Sequence, residues 1–524
     1  MSGPDADRGG LAPVRALLGV ADRTGVVAFA AGLAAAGVEL VATDGTAAAL
    51  RAGGLAPRSV EELTGLPPLF GGRVKTLHPA IHGGILFRRG DPAHQEEARA
   101  RGIAPIDLVC VNLYRFAEAV LGGADEAHAL EAVDIGGPTL LRAAAKNHPE
   151  VVVVSAPDQY DAVLAAVRDG GVPAALRRRL AAAAFAHTAA YDTQVAHHLA
   201  GPGGGDGWPA ELTVGGPRRA RLRYGENPHQ QGALYQVGPG PSGLAAAVLH
   251  QGAPLSFTNW LDCDTAWAAV AGWPEPAAVV VKHAIPCGFA TAPELAQAFR
   301  LARACDPRSA FGGIVGCNRP LDLGTAELLL EGFLEAVVCP SAPAVVLDRL
   351  ARKARLRVLS LPGPGPADVG AETALDVRSV AGGLLVQTQD HGGPDPRSWR
   401  SVAARPPTAP ELRDLAIAWH LVRLVRSNAI VLASRGQGVG VGAGQMSRVE
   451  AAELAVARAG GRAQGSVMAS DAFIPMPDTV EVAIRAGVTA IVQPGGSVQD
   501  ASVTERCTTA GIAMLHTGRR HFRH

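Results

Sequence analysis

The run VVV (279–281) leads straight into Lys282 and His283, and Pro286, Cys287 and Gly288 follow within VVVKHAIPCG (279–288). A short β-branched run bounded by proline and glycine reads as a buried strand ending in a turn, and strand ends in α/β sheets are where ligands bind. An ammonium beside an imidazole at such a place suits proton transfer with stabilisation of a developing oxyanion. The same pair in a core or loop is the bland alternative. A zinc deaminase centre is excluded, because it needs a Glu two residues after the His and a P-C-x-x-C. Ile285 and Ala290 occupy those positions.

Two glycine-rich stretches invite a cofactor reading and fail it. GVGVGAGQMSR (438–448) does not satisfy G-x-G-x-x-G, and GGRVKT (71–76) lacks the spacing of a P-loop. The first offers backbone N–H groups that a ligand could approach, followed by Arg448, whose planar fork suits a carboxylate or phosphate. A glycine-rich hairpin with a surface arginine explains it equally well.

The elements that must hold these residues are legible as a rhythm. VRALLGV, TGVVAFAAGLAAAG and VELVATDGT (14–46) alternate strand, helix and strand, and IDLVCVNLY (106–114) and VVVVSA (151–156) continue a parallel α/β sheet. A long Ala/Arg helix follows over 173–200, on which Arg177 to Arg179 read as a solvated face. GPGGGDGWP (201–209) reads as a linker, and LPGPGPADVGAE (361–372) as a loose stretch dividing the second half into two lobes. The 524-residue length predicts two to four domains. Lys+Arg and Asp+Glu both number 48, so the chain lacks the basic excess of a nucleic-acid binder while leaving room for a small anionic ligand. Seven scattered cysteines without a C-x-x-C pair suit free thiols in a reducing compartment. No apolar signal core or bilayer-spanning run is present, so a soluble cytoplasmic protein is expected, with no membrane partner.

Taken in order, the motifs resemble one family, the bifunctional purine-biosynthesis enzymes that join AICAR transformylase to IMP cyclohydrolase. The resemblance is carried by GGRVKTLHPAIHGGIL (71–86), IDLVCVNLY (106–114), DIGGPTLLRAAAKNH (134–148), AFAHTAAYD (184–192), RYGENPHQ (223–230), KHAIPCG (282–288), DPRSAFGGIVGCNR (306–319), RSNAIVLA (426–433), GVGAGQMSR (440–448), VMASDAFIPMPD (467–478), QPGGS (493–497) and RRHFRH (519–524). It implies an α/β fold: a methylglyoxal-synthase-like parallel-sheet domain over 1–203, then a transformylase region over 204–524 of two cytidine-deaminase-like α/β lobes. It also implies formyl transfer from 10-formyltetrahydrofolate to AICAR, followed by closure of formyl-AICAR to IMP. The folate is then a co-substrate; no tightly bound cofactor and no metal are expected, and the protein is expected to be a homodimer.

The same resemblance distributes roles. Lys282 and His283, with Asn428, fall on catalytic positions of the transformylase. Arg223, Tyr224, Asn259, Gly312, Arg448, Phe473, Arg520 and Phe522 fall on nucleotide-contacting positions, and Glu335 and Asp478 on the folate side. In the first domain Lys75, Tyr114, Asp134 and Lys146 match catalytic cyclohydrolase positions, with Arg73 and Thr76 on the substrate.

The chain also departs from the family pattern. The first loop reads G-V-A-D-R-T-G (19–25) where S-V-S-D-K-T-G is usual, which replaces two hydroxyl donors by Gly19 and Ala21 and a lysine by Arg23. The phosphate loop is Thr43-Asp44-Gly45-Thr46, with an acid where the family has glycine, and pairing of Arg23 with Asp44 is the expected remedy. Arg115 replaces a proline, and Ile285 an asparagine. Three readings follow: the bifunctional enzyme; a transformylase with a degenerate phosphate-binding or structural first domain; and a non-catalytic nucleotide-binding protein. The loops at 19–25 and 43–46 separate the first two, and intact Lys282, His283, Asn428 and Arg448 argue against the third.

Overall fold

The computed structural model describes residues 10–114, 116–201, 208–238, 242–361, 375–390, 393 and 395–524. Most of the glycine-rich linker, the loose stretch beyond Leu361, Arg115 and the first nine residues therefore lie outside the described residues. The chain divides into two compact units, Met1–Pro217 with Tyr235–Pro241, and Arg218–Leu234 with Ser242–His524.

The first unit is built on a parallel sheet of five strands: β1 (Arg15–Val20), β2 (Glu39–Ala42), β3 (Arg58–Ser59), β4 (Leu108–Asn112) and β5 (Val152–Val154), in the order β3-β2-β1-β4-β5. The strands are apolar on both faces because helices cover both, and β4 and β5 are buried at every residue. The chain leaves β1 towards β2 on one side and later returns to β4 on the other. The C-terminal ends of β1 and β4 therefore frame the crevice that a change of strand order opens. The helix Ala174–Ala200 packs over this unit, and there Arg177 corrects the sequence reading. It is buried, not solvated, and donates to the carbonyls of His148, Val172 and Pro149. These three carbonyls lie in connections between elements, and of the cluster only Arg178 and Arg179 remain exposed.

The second unit carries a mixed sheet of twelve strands made of two lobes of like construction. In the first, the helix Phe257–Val270 precedes a hairpin (Ala277–Lys282 with Ile285–Thr291), a helix (Leu295–Cys305) and three parallel strands, Ile314–Cys317, Ala336–Cys339 and Arg357–Ser360. In the second, the helix Ala409–Val422 precedes a hairpin (Ile430–Ser434 with Gln437–Gly442), a helix (Arg448–Ala459) and three parallel strands, Val467–Ser470, Ala490–Gln493 and Ala513–His516. The two hairpins meet edge to edge, Phe289 opposite Gly438 and Ala290 opposite Gln437, so one sheet runs through both lobes. An apolar core shared by the two lobes lies beneath the hairpins.

The glycines of 438–442 belong to that arrangement and not to an open loop. They lie in a buried strand against the helix Arg448–Ala459. A Cβ at Gly440 would stand 2.2 Å from the Ala455 carbonyl oxygen, and one at Gly442 1.9 Å from that of Ala451. Close helix–strand approach, rather than ligand access, explains the glycine run.

Candidate functional sites

At the C-terminal end of β1 the first-unit crevice is tied together by Asn112, the last residue of β4. Its Oδ1 accepts from the Ala21 and Asp22 amides at 2.6 and 2.8 Å, and its Nδ2 donates to the Asp22 carbonyl at 2.9 Å. The Val20 amide donates to Thr46 Oγ1 at 2.9 Å, which joins the first loop to the helix Asp44–Ala52. Thr43 caps that helix by position without a side-chain bond to its backbone, and its Oγ1 meets Thr46 Oγ1 at 3.4 Å. A Cβ at Gly19 would lie 3.2 Å from Thr43 Cγ2, so the threonine methyl fills the space that a side chain at 19 would take.

Arg23 lies across the start of the same helix, with its Nη2 2.9 Å from where a Gly45 Cβ would be. The expected pairing with Asp44 is absent, since no ion pair joins the two among the described residues. Asp44 instead lines a small pocket with Thr43, Glu61 and Lys75. Lys75 thus reaches the start of the helix Asp44–Ala52, as does Arg23. Glycine at 45 keeps that helix start open to the guanidinium.

Asp134 and Tyr114 form the other wall. Asp134 Oδ1 accepts from the Gly137 amide at 2.7 Å and Oδ2 from the Tyr114 amide at 3.3 Å, while the Asp134 amide donates to Tyr191 Oη at 2.8 Å. Burial pushes its carboxyl above the ordinary range, opposed by the two amides. Thr76 is buried against Gly136, at the start of the helix Gly136–Lys146 that Asp134 caps. Arg73 makes an exposed ion pair with Glu131. Lys146 stands at the opposite end of that helix, roughly 15 Å along its axis. There it borders a cleft of about 610 Å³ with Leu86, Arg142, His148, Arg178 and Phe185. Within one chain it does not join Lys75, Tyr114 and Asp134.

In the second unit Lys282 ends its strand and His283 is exposed at the hairpin tip. Lys282 Nζ donates to the Phe311 carbonyl at 2.5 Å. Gly312 is in the left-handed region, and a Cβ there would lie 3.6 Å from Lys282 Nζ and 3.3 Å from the Phe333 ring. Phe311 and Phe333, their ring centroids 5.5 Å apart, stay half exposed beside the ammonium. Glu335 follows on the same backbone turn, with its amide bonded to the Gly313 carbonyl, and its carboxylate takes Arg357 at 2.7 Å.

Asn428 and Arg448 form a separate buried network. Arg448 is 7% exposed and gives Nη1 to Asp471 and to Ser470 Oγ, and Nη2 to Asn428 Oδ1 at 2.8 Å. Asn428 in turn donates to the Gln445 and Met446 carbonyls. The Arg448 fork therefore meets a carboxylate of its own chain and, through Nη2, Asn428. Asn259 is equally occupied, as the third residue of the helix Phe257–Val270, where it closes a capping box with Ser256. Arg223 lies over the Tyr224 ring and Arg520 over the Phe522 ring, at 4.9 and 4.3 Å. Phe473 is partly exposed, and Asp478 opens the helix Asp478–Ala486 by accepting from the Thr479 amide. Among the described residues no hydrogen bond joins Arg223, Tyr224, Phe473 or Arg520 to Lys282 or His283.

Asn112, which holds the first loop in place, is not legible as such in the sequence. Asn112 sat inside a strand pattern, where its type alone announces nothing.

Comparison with known proteins bears on both units. The model of the AICARFT/IMPCHase bienzyme family matches residues 144–458, and that of the MGS-like domain matches 25–139. The bifunctional purine biosynthesis protein PurH of Acidithiobacillus ferrooxidans is 48% identical, over 97% of this chain and 99% of its own. The protein of the same name from Sorangium cellulosum is 49% identical, with the same coverage of both chains.

Proposed function

This chain belongs to the AICARFT/IMPCHase bienzyme family, and from that premise we propose how its residues divide the work. The protein is a bifunctional enzyme of purine biosynthesis, an AICAR formyltransferase and IMP cyclohydrolase. The observation that carries the assignment of formyl transfer to the second unit is the hairpin tip: a fixed ammonium and an exposed imidazole on adjacent residues.

In our reading 10-formyltetrahydrofolate is the co-substrate. The AICAR amine is a weak nucleophile, because the ring carboxamide withdraws its lone pair. His283 takes its proton as the nitrogen attacks the formyl carbon, and Lys282 faces the oxyanion of the tetrahedral intermediate. Collapse breaks the bond from the formyl carbon to the folate N10, which receives the proton from His283. Arg448 acts through Asn428, because its Nη1 is spent on Asp471 and Ser470 and its Nη2 meets Asn428 Oδ1. Phe311 and Phe333 offer flat apolar surface beside the reacting centre.

Ring closure falls to the first unit. Arg23 and the open start of the helix Asp44–Ala52 gather positive charge for the phosphate, in which a guanidinium fork replaces hydroxyl donors. Lys75 and Tyr114 polarise the formamide oxygen while the carboxamide nitrogen attacks, with Asp134 holding the Tyr114 backbone. Water leaves as the purine ring forms. A homodimer in the cytoplasm completes the proposal, and Lys146 on its distant helix end would serve a second copy.

The test is to assay the two steps separately. Lys75→Ala should remove closure of supplied formyl-AICAR and leave formyl transfer within twofold. Retained closure in that variant would assign the first unit a structural role.

A further inference from the structure

We propose that Asp262 is a positioning residue for formyl transfer, whose carboxylate holds the His283–Ala284 turn in the left-handed conformation that aims the imidazole. The inference rests on the reading of His283 as the base.

The turn needs a holder. Lys282 pairs with Ile285 across the hairpin, so His283 and Ala284 alone form the loop, with φ of 54° and 57°. Two-residue hairpin turns of this sort favour Asn-Gly, because residues with a Cβ resist positive φ. Ala284, at the place glycine usually takes, lacks that preference. The helix Phe257–Val270 supplies what the turn lacks: Asp262 Oδ1 accepts from the Ala284 amide at 2.5 Å, and Thr265 Oγ1 donates to the Ala284 carbonyl at 3.5 Å. Burial raises the Asp262 carboxyl, and the amides of Ala284 and His283 pull the other way, as expected for a carboxylate aimed at the turn backbone.

The second lobe shows the same device with no chemistry attached. Its hairpin turn is Arg435–Gly436, at φ of 54° and 79°. Asp414 Oδ2 accepts from the Arg435 amide and Oδ1 from the Gly436 amide, both at 2.8 Å. Asp262 and Asp414 are each the sixth residue of the helix preceding their hairpin. The aspartate clamp is thus part of the lobe design, and the first lobe uses it on a turn without glycine, where its loss frees His283 to return to negative φ and swings the imidazole away.

The test measures kcat and KM for AICAR in formyl transfer, with closure of formyl-AICAR as the control for folded protein. Asp262→Ala should lower kcat roughly ten- to a hundredfold, the penalty of a misplaced catalytic group, with KM within about twofold. Adding Ala284→Gly should restore most of the loss, since glycine adopts the turn unaided, while Ala284→Gly alone stays near the parent. Asp414→Ala should lower the melting temperature and leave kcat within twofold. If Asp262→Ala does not fold, Asp262→Asn serves in its place, with a smaller loss that Ala284→Gly also repairs. A parental kcat in the Asp262 variants overturns the proposal, and so does a loss that Ala284→Gly leaves untouched, which would mean that the carboxylate acts by charge. Failure of the underlying reading is distinct: His283→Ala would then keep full formyl transfer.

Discussion

At the hairpin tip of the first lobe stand Lys282, His283 and Ala284; in the second lobe Ser434, Arg435 and Gly436 hold the matching places. Both turns are left-handed and both are gripped by an aspartate from the preceding helix. Both following strands place a glycine against a helix backbone, so that a Cβ at Gly288 would meet the Ala302 oxygen at 2.1 Å and one at Gly440 the Ala455 oxygen at 2.2 Å. The scaffold is common, and the difference lies in what is left free. The second lobe relaxes its turn with glycine at Gly436 behind an exposed guanidinium, Arg435, whereas the first keeps a non-glycine turn and exposes an imidazole there, a group that can take and return a proton. Backbone that sits outside its favoured region is tolerated where surrounding structure over-determines it, and such places gather at functional sites.

The sharpest way to break this comparison is to remove the side chain at each tip. His283→Ala should lower kcat for formyl transfer by about 10²- to 10⁴-fold, the usual contribution of a general base. Arg435→Ala should leave it within twofold. Equal losses in the two variants would make the tips functionally equivalent and sink the assignment.

Next in size is the buried Arg448–Asp471 pair of the second lobe. Asp471→Ala leaves the Arg448 guanidinium without its carboxylate and should destabilise the protein by about 3–5 kcal/mol in urea unfolding. An unchanged midpoint would mean that Arg448 finds another partner or water. Gly288→Ala and Gly440→Ala should each cost about 1–3 kcal/mol, because the clash is with helix backbone that cannot swing aside. Equal costs sharpen the likeness of the lobes, while a cost in one alone would show that only one helix is held rigidly.

The smallest effect separates the two capping boxes. Ser256 pairs with neutral Asn259, and Thr408 with Glu411. Burial by itself would raise the Glu411 carboxyl, but the Arg405 fork and the Thr408 amide outweigh it and hold the group at about 2, below its ordinary 4.5. Since the folded value is the lower, this stabilisation is complete above pH 4.5 and is lost as the pH falls through about 2. The stability gap between parent and Glu411→Gln, read from unfolding curves, should therefore narrow as the pH is lowered from 5 to 3. A constant gap would contradict it.

What the sequence by itself determined was local. The strand–helix alternation at 14–46 appears as β1, a helix and β2, and the apolar run before Lys282 is a strand that ends in a turn. Period and turn chemistry are written into neighbouring residues, so they survive reading one segment at a time. Motif wording likewise placed the family. Tertiary structure decided which donor meets which acceptor. The fork of Arg448 is spent on Asp471, Arg177 vanishes beneath three carbonyls, and Arg23 lies over Gly45 instead of pairing with Asp44. Lys146 shares a helix with the Asp134 cap yet sits at its other end. The glycines at 438–442 pack a helix, and Asp262 reaches across from its helix to a turn. Each of these partnerships joins residues that no period or motif links. A buried donor takes whichever acceptor the folded chain brings within hydrogen-bonding distance, because leaving either group unpaired away from water costs more than the choice of partner.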